Sequence, residues 1–358
     1  MGNDHGKIYP SYREKLWQYT VGRMSAQEKA FFKEHLVRCK LCKIILEDVK
    51  DHPPESAETL PMPGKVALPR GFRLIERIGI GGMGSVYKAH QASMDREVAI
   101  KILAPELAKK EEFVNRFLRE AKAAAKLSHN GLVRVYDVGK TDDGRYYFVM
   151  EYIRGRTLRS IIKTRRKLLL HELVEYIIQV ASALEHAWQE KIIHRDVKPE
   201  NIMITDEEGM AKLTDLGLAK KTDDESAALT QTGIAMGTPD YMSPEQVRDT
   251  ANITYLSDIY SLGATFFHCL TGRKPFTGKS AVRIMAEVME GEWEWTAAEK
   301  KTVPRPVRKI VERMMALKPG NRFQTHAELI GVLSELRSTG VVRAPRRHLK
   351  RGKRPRRR

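Results

Sequence analysis

The chain has 358 residues, a hydrophobic fraction of 42% and a formal net charge of +18, which suits more than one folded unit. No apolar run reaches the length of a membrane-spanning helix, and the N-terminus lacks the apolar core of a signal peptide. Three cysteines, an odd number without framework spacing, agree with a reducing compartment, so we expect a cytoplasmic protein without a membrane span.

The first fifty residues hold two of the three cysteines in a pattern typical of metal ligands. His35, Cys39 and Cys42 read H-x-x-x-C-x-x-C. Residues 25–28 have the sequence of a capping box, which predicts a helix beginning there. Residues four apart share one helix face, and thiolates with an imidazole suit a tetrahedral zinc ion. The segment from about 12 to 49 resembles the zinc-binding module of bacterial zinc-containing anti-sigma factors.

That resemblance implies a structural zinc site whose fourth ligand comes from upstream. His5 is the conventional candidate, with Asp4 or water as alternatives. It also implies a partner, such as a sigma factor or another regulator. Two other interpretations of the Cys-x-x-Cys pair stay open, namely a metal-free redox pair and small buried side chains.

Residues 51–70 contain five prolines, at positions 53, 54, 61, 63 and 69. This density predicts a semi-rigid, extended spacer between the first fifty residues and the rest of the chain.

A glycine-rich run follows the spacer. Residues 79–86 read G-x-G-x-x-G-x-V and lie between two β-type runs, 72–78 and 85–89. Glycine lets the backbone approach phosphate groups closely. The flanking strands favour a hairpin that covers a nucleotide over a Rossmann turn that opens a helix.

Residues 98–101, V-A-I-K, predict an apolar strand that ends in the amine of Lys101. The helix-forming composition of residues 111–127 places Glu120 on a helix. Lys101 is a candidate for contacting the α and β phosphates, and Glu120 for holding it. The alternative is that both are ordinary charged side chains in solvent. Their position among the other motifs argues against it.

Residues 194–201 read H-R-D-V-K-P-E-N and carry the chemistry of phosphoryl transfer. Asp196 can accept the proton of an attacking hydroxyl, and Lys198 can neutralise charge on the transferred group. Asn201 can hold a magnesium ion. Asp215 follows a short apolar strand at 211–214 and is a second candidate for that ion.

Four further motifs come later in the chain: G-T-P at 237–239, S-P-E at 243–245, an apolar stretch beginning at Asp258, and K-P-G-N-R-F at 318–323. In this order and spacing the motifs match the signature set of protein kinases. Residues from about 72 to 336 therefore resemble a bacterial Hanks-type Ser/Thr protein kinase.

The resemblance implies an α+β, bilobal protein kinase fold with a small β-rich N-lobe and a larger helical C-lobe. The expected organisation is a helical zinc-finger-like module (1–50), the Pro-rich linker (51–70), a kinase domain (71–338; N-lobe 71–150, C-lobe 154–338) and a disordered basic tail (339–358).

By the same resemblance, the chain transfers the γ-phosphate of ATP to protein Ser/Thr hydroxyls with Mg²⁺ or Mn²⁺. Asp196 is then the base, with Lys198 on the γ-phosphate and Thr238 nearby. Lys101 and Glu120 form an ion pair. The implied nucleotide and metal contacts are Ile78, Gly79, Gly81, Gly82, Gly84, Val86, Ala99, Lys101, Met150, Glu151, Ile153, Asn201 and Asp215.

The resemblance also implies two anchors in the C-lobe. Glu245 and Arg322 form a buried pair, and Asp258 holds the backbone of the catalytic loop. Two residues depart from the family pattern: Leu216 stands where Phe is usual, and Ser243 where Ala is usual. Leucine is still large enough to pack under the helix that carries Glu120.

Regulation is implied by Arg195, which in relatives pairs with a phosphate on the activation loop. Residues 219–236 hold Thr230 and Thr232 as a Thr-Gln-Thr unit, the predicted phosphosites, with Thr222 and Ser226 as lesser candidates. The alternative is that these are plain loop residues.

The tail from 343 to 358 has ten Lys/Arg and no acid. It can bind nucleic acid or another polyanion, bind an anionic membrane surface, or have no specific partner. It has no aromatic residue, so base-specific recognition is not indicated.

A function of a different class is a non-catalytic scaffold, in which a kinase-like fold displays a binding module. Every residue needed for phosphoryl transfer is present, which favours the enzyme.

Overall fold

The computed structural model describes residues 19–20, 33, 46, 68–81, 83–165, 168–216, 239–248 and 253–339. The chain forms two compact units, Met1–Pro105 with Gly139–Tyr147, and Glu106–Val138 with Phe148–Arg358. Most of the predicted module at 1–50, the linker and the basic tail fall outside the described residues, and the domain and lobe boundaries stay predictions.

The first unit is built on an antiparallel sheet. Its strands are β1 (Phe72–Gly81), β2 (Gly84–Gln91) and β3 (Arg96–Leu103), with residues 139–147 supplying the end of β4 (Val135–Lys140) and the start of β5 (Tyr146–Glu151). The sheet order is β1-β2-β3-β5-β4. A 3₁₀ turn, Ala92–Met94, joins β2 to β3.

The apolar residues of β2 and β3 form the core of this sheet. Val98, Ala99, Ile100, Ile102 and Leu103 are all buried, so β3 is covered on both faces. Buried runs of β-branched and aliphatic residues are typical of an interior strand. The β3 backbone is therefore a rigid support for Lys101, which lies within it.

The second unit is mainly helical. Its described helices are α1 (Pro105–Ala108, which begins in the first unit), α2 (Glu111–Ala124), α3 (Leu158–Arg165), α4 (Leu170–Gln189), α5 (Pro244–Arg248), α6 (Tyr255–Thr271), α7 (Ala281–Glu290), α8 (Ala297–Thr302), α9 (Arg305–Met314) and α10 (His326–Ser338). A small antiparallel sheet, β6 (Gly155–Thr157), β7 (Ile202–Thr205) and β8 (Ala211–Leu213), lies in the same unit. None of the helices in these ranges has the length and low polarity that crossing a bilayer requires.

Helix α2 begins where the sequence predicts but ends at Ala124, three residues before the predicted end at 127. The N–H groups of Lys126 and Leu127 bond to carbonyls three residues back, so the chain tightens into a 3₁₀-type turn there. Val114, Phe117 and Ala121 form its buried face, and Glu120 is buried on the same helix.

Helix α6 is the central support of the second unit. It begins at the cap residue Thr254 and ends at Gly272, whose φ of 77° is left-handed. Residues 257–269 of this helix are buried. Phe267 packs against Trp293 and Trp295 at ring separations of 5.4 and 4.9 Å. An apolar helix buried all round is held in place from every side, so a polar residue within it is fixed precisely.

The buried pair that the resemblance implies is present below α6. Arg322 has 0% exposure and donates two hydrogen bonds to Glu245, from Nη1 to Oε1 at 2.6 Å and from Nη2 to Oε2 at 2.8 Å. It also donates to the carbonyls of Ala316 and Leu256, while Ser257 donates to Glu245. Burial opposes the charge of Glu245, but Arg322 outweighs it and holds the pKa of this carboxyl below its ordinary value.

We predict that Arg322→Ala destabilises the protein by about 3–5 kcal/mol, because it leaves the largely buried Glu245 carboxylate without its cation. Urea unfolding followed by tryptophan fluorescence measures the loss. Arg283→Ala is the control, since Arg283 pairs with Glu287 and Glu292 but is 54% exposed, and its loss should cost less than about 1 kcal/mol. Equal losses in the two variants would contradict a structural role for the buried pair.

Candidate active site

The glycine-rich run forms the tip of the β1–β2 hairpin. Gly79 lies opposite Val86, and Gly81 lies opposite Gly84. A Cβ atom on Gly84 would lie 2.0 Å from the carbonyl oxygen of Ile102, so only glycine fits at this position. Ile78 lies at the irregularity between Arg77 and Gly79 and is 42% exposed.

The hairpin leads directly to Lys101. In the β2–β3 register, Val86 lies opposite Lys101 and Lys88 opposite Ala99. Within the first unit, therefore, Gly79, Val86 and Lys101 occupy one line across three adjacent strands. This is the arrangement expected of a glycine-rich hairpin that covers a nucleotide, with the Lys101 ammonium on the neighbouring strand.

Three polar side chains of the catalytic-loop motif meet in the second unit. The Lys198 ammonium lies 2.9 Å from Asp196 Oδ2. Asn201 Nδ2 donates to the same oxygen at 3.0 Å and to the Asp196 carbonyl at 2.9 Å. Both charged side chains are less than one-fifth exposed. An ammonium and an amide are thus both held within hydrogen-bonding distance of one carboxylate oxygen.

Asp215 is tied to this group through its neighbour Thr214. The Thr214 N–H donates to the Asn201 carbonyl at 2.8 Å, and His194 Nε2 lies 3.0 Å from the Thr214 carbonyl. Asp215 itself has a left-handed φ of 50° and an exposed side chain. Its backbone position is therefore set by the same loop that carries Asp196.

The donor set at this place fits magnesium. The Asn201 amide nitrogen faces Asp196, which leaves its amide oxygen as the acceptor, and Asp215 contributes a carboxylate. Hard oxygen donors are what Mg²⁺ requires, and such sites combine one or two protein ligands with substrate phosphates and water. The described residues contain no group of three or more His, Cys, Asp or Glu side chains placed to hold a metal ion.

The loop backbone is fixed by a carboxylate from α6. Asp258 Oδ2 accepts from the His194 N–H and Oδ1 from the Arg195 N–H, both at 2.8 Å. Arg195 has a φ of 65°, an uncommon left-handed conformation for a long side chain. Burial raises the pKa of Asp258 to about 7, while the two N–H donors and the Arg195 charge act in the opposite direction.

Several of the predicted site residues line one cavity in the second unit. Glu120, Met150, Asp215 and Leu216 all line it, together with Phe148 and Leu213. Glu120 is buried, with 4% exposure. Leu216 is buried too, so it packs where the larger Phe is usual. Met150 is one of the residues implied to contact the nucleotide.

Glu151, one of the implied nucleotide contacts, is held by neighbouring residues. The Glu151 N–H donates to the Arg134 carbonyl at 2.8 Å, and the Glu151 carboxylate lies 2.6 Å from the Lys212 ammonium. These contacts fix Glu151 at the end of β5, the point from which the backbone continues to Ile153.

Some predicted residues fall outside what the structure describes: Gly82, Thr230, Thr232, Thr238, and the proposed zinc ligands His5, His35, Cys39 and Cys42. Lys101 lies in the first unit and Glu120 in the second, and their ion pair stays a prediction.

The sequence analysis did not single out His194 or Gln246. His194 Nδ1 accepts from the Asp196 N–H at 3.2 Å, which favours the tautomer whose Nε2–H donates to Thr214. Gln246 Nε2 donates to the Arg195 carbonyl at 2.9 Å. A signal for Gln246 was present, because Ser243 and Gln246 have the S-x-x-Q spacing of a capping box.

Known proteins are similar to this chain over most of its length. The protein kinase domain family matches residues 72–330. The chain is 42% identical over 258 residues to serine/threonine-protein kinase PrkC of Bacillus subtilis, an alignment covering 72% of this chain and 39% of that protein. It is 37% identical over 278 residues to serine/threonine-protein kinase PknB of Mycobacterium tuberculosis, covering 77% and 44%.

The chain thus spans about two fifths of the length of these relatives. The matched region includes both the β-sheet unit and the helical unit, which fits the bilobal kinase fold.

We predict that Asp258→Asn exposes the backbone of the catalytic loop, because an amide offers one acceptor oxygen where the carboxylate offers two. A buried N–H left unpaired costs about 1–3 kcal/mol, so amide hydrogen exchange at His194 or Arg195 should accelerate by roughly tenfold or more. Exchange with mass-spectrometric detection measures this. Asp240→Asn is the control, since Asp240 is a buried acid that pairs with Lys274. Unchanged protection in Asp258→Asn would contradict the anchoring role.

Proposed function

Since the chain belongs to the protein kinase family, with the domain of an ATP-dependent serine/threonine protein kinase, we propose that it transfers the γ-phosphate of ATP to serine and threonine hydroxyls of proteins. The observation that carries this proposal is the cluster of Asp196, Lys198 and Asn201, with Asp215 tied to it through Thr214.

Each residue of the cluster has a separate task in this proposal. Asp196 orients the acceptor hydroxyl and receives its proton. Lys198 places a positive charge where negative charge collects on the transferred group. Asn201 and Asp215 would hold Mg²⁺ or Mn²⁺, which when bound supplies further neutralisation of the ATP phosphates. Such catalysis is mainly positioning and electrostatic stabilisation, so the fixed distances of the loop matter more than any single group.

ATP binding falls to the remaining predicted residues. The hairpin tip from Gly79 to Gly84 covers the phosphates, and Lys101 neutralises the α and β phosphates. Glu120 is proposed to hold Lys101 in the active state. The backbone of Glu151 and Ile153 binds adenine, with Ile78, Val86, Ala99 and Met150 around the base.

Autophosphorylation of the activation loop is supported by Arg195. The Nε and Nη1 atoms of this guanidinium are buried and find no hydrogen-bond acceptor among the described residues. Burial lowers the pKa of the Arg195 guanidinium, while the Asp258 carboxylate acts in the opposite direction. A phosphate on Thr230 or Thr232 would supply the missing acceptors. We propose these two threonines as the phosphosites and Thr238 as a contact of Asp196 and Lys198.

The segments around the kinase domain are assigned on sequence alone. Residues 1–50 form a zinc module with His35, Cys39 and Cys42, and with His5 as the fourth ligand. The module regulates the kinase or binds a partner such as a sigma factor. The linker 51–70 separates it from the kinase domain, and the tail 339–358 binds a polyanion or an anionic membrane surface. The cysteine count supports a cytoplasmic location.

We predict that Asp196→Asn lowers autophosphorylation by at least a hundredfold, because the amide cannot accept the hydroxyl proton. Incorporation of labelled phosphate from Mg·ATP measures the rate, and peptide mapping of wild-type protein should find label on Thr230 and Thr232. Asp206→Asn is the control, since Asp206 is exposed in the turn after β7. Equal rates in Asp196→Asn and wild type would remove Asp196 from this role, and bare threonines in active protein would reject the phosphosites.

We predict about one zinc ion per chain by elemental analysis, lost in a Cys39→Ser/Cys42→Ser variant. A changed autophosphorylation rate in that variant would mean that the module regulates the kinase, because metal binding and folding of a small module are coupled. An unchanged rate would make the module a separate docking domain. Cys269→Ser is the control, since Cys269 is buried in α6 and should not affect zinc content. A zinc-free wild type would refute the zinc site.

A further inference from the structure

The Gln246 side chain joins helix α5 to the catalytic loop. Ser243 and Gln246 form both bonds of a capping box: the Gln246 N–H donates to Ser243 Oγ at 3.3 Å, and the Ser243 N–H donates to Gln246 Oε1 at 3.0 Å. Pro244 occupies the first helical position, where a missing N–H is not needed. Ser243 has 0% exposure and Gln246 has 9%, so this box is formed inside the protein.

The capping box also decides how the Gln246 amide is oriented. Its oxygen faces a backbone N–H, so its nitrogen must face the other way. That nitrogen, Nε2, lies 2.9 Å from the carbonyl oxygen of Arg195. In the reversed orientation, the amide oxygen of Gln246 would face the carbonyl oxygen of Arg195. The amide nitrogen would then face the N–H of Ser243, another donor. The Gln246–Arg195 bond is therefore specific to a side chain that accepts at one end and donates at the other.

The carbonyl that Gln246 binds belongs to the peptide linking Arg195 to Asp196. The N–H of that peptide is held by His194 Nδ1 at 3.2 Å. The preceding N–H, on Arg195, is held by Asp258 at 2.8 Å. Gln246 thus completes a set of bonds that fixes the orientation of the peptide plane directly before the base.

This peptide needs external support because Arg195 has a φ of 65°. A long side chain in the left-handed region is strained, and such a conformation persists only where its surroundings determine it. Without Gln246 the Arg195 carbonyl would lose a partner in a buried place, and rotation of the peptide would become easier. Rotation there moves the Asp196 backbone and with it the carboxylate.

We propose that Gln246 is a positioning residue for the catalytic base, and that the Ser243–Gln246 box connects the chain segment ahead of α5 to the Arg195–Asp196 peptide. The inference rests on the proposed kinase function. By this connection, a displacement of Ser243 would reach the Arg195–Asp196 peptide through the Gln246 side chain. Ser243, which replaces the usual Ala, contributes the hydroxyl that holds the Gln246 backbone in register.

Gln246→Glu tests the proposal most sharply. The substitution keeps the size of the side chain and an oxygen for the Ser243 N–H, but replaces the donor to Arg195 by a second oxygen. With Mg·ATP and dephosphorylated casein as acceptor, we expect kcat to fall by about tenfold to a hundredfold, since small misplacements of a reacting group are costly. The KM for ATP should stay within about threefold of wild type. Gln246 bonds to the loop that carries Asp196 and not to the residues proposed to bind ATP.

Gln246→Ala is the second variant and should show the same kcat-specific loss. Gln179→Ala is the matched control: Gln179 is a partly buried glutamine whose Oε1 accepts from the Ala211 N–H at 2.7 Å, outside the catalytic loop. Its kcat should stay within about twofold of wild type. Thermal unfolding of all variants separates misfolding from misplacement.

Two results would overturn the proposal: kcat within twofold of wild type in both Gln246 variants, or a kcat loss in Gln179→Ala as large as theirs. Amide hydrogen exchange at Asp196 gives a readout that does not depend on activity, and it should accelerate in Gln246→Glu. If wild-type protein transfers no phosphate, the kinase function fails, and the exchange rate still decides whether Gln246 holds the peptide.

Discussion

The structure of the candidate site depends on a single buried carboxylate. Asp258 lies in α6, a helix enclosed on all sides, and it accepts both N–H groups that open the catalytic loop. An interior helix cannot shift without disturbing a close-packed core. Its rigidity is therefore passed to His194 and Arg195 through two short bonds, and from there to Asp196.

Several other features are arranged around that anchor. Arg195 is strained, and the loop tolerates the strain because Asp258 and Gln246 hold its N–H and its carbonyl. His194 joins the loop to Thr214, which places Asp215 next to Asn201. The Glu245–Arg322 pair holds the beginning of α5, the helix that carries Gln246. One network thus links a structural ion pair, a capping box and the predicted base.

The sequence allowed the fold class and the individual motifs to be predicted, because each motif is local. Eight consecutive residues carry the cluster of Asp196, Lys198 and Asn201. The strand that carries Lys101 is visible from its composition, although it continues two residues beyond the predicted end, to Leu103. The partners of those residues were harder to infer. Gln246 and Arg195 are 51 positions apart, and nothing in the S-x-x-Q pattern indicates which carbonyl the amide will reach. The end of α2 was misplaced too, because the chain changes to 3₁₀-type bonds at Lys126 and Leu127 although its composition still favours a helix there.

The cavity bordered by Met150 and Leu216 has a consequence for selective inhibition. It lies in the helical unit beside the segment predicted to bind adenine, and Phe148, Leu213 and Leu216 make most of it apolar. Methionine is flexible and unbranched, so the side chain of residue 150 can adapt its shape at the edge of this space. Leucine at 216 is smaller than phenylalanine and has no ring. A small apolar group entering beside Met150 would therefore contact an aliphatic side chain where relatives with the usual residue present an aromatic ring.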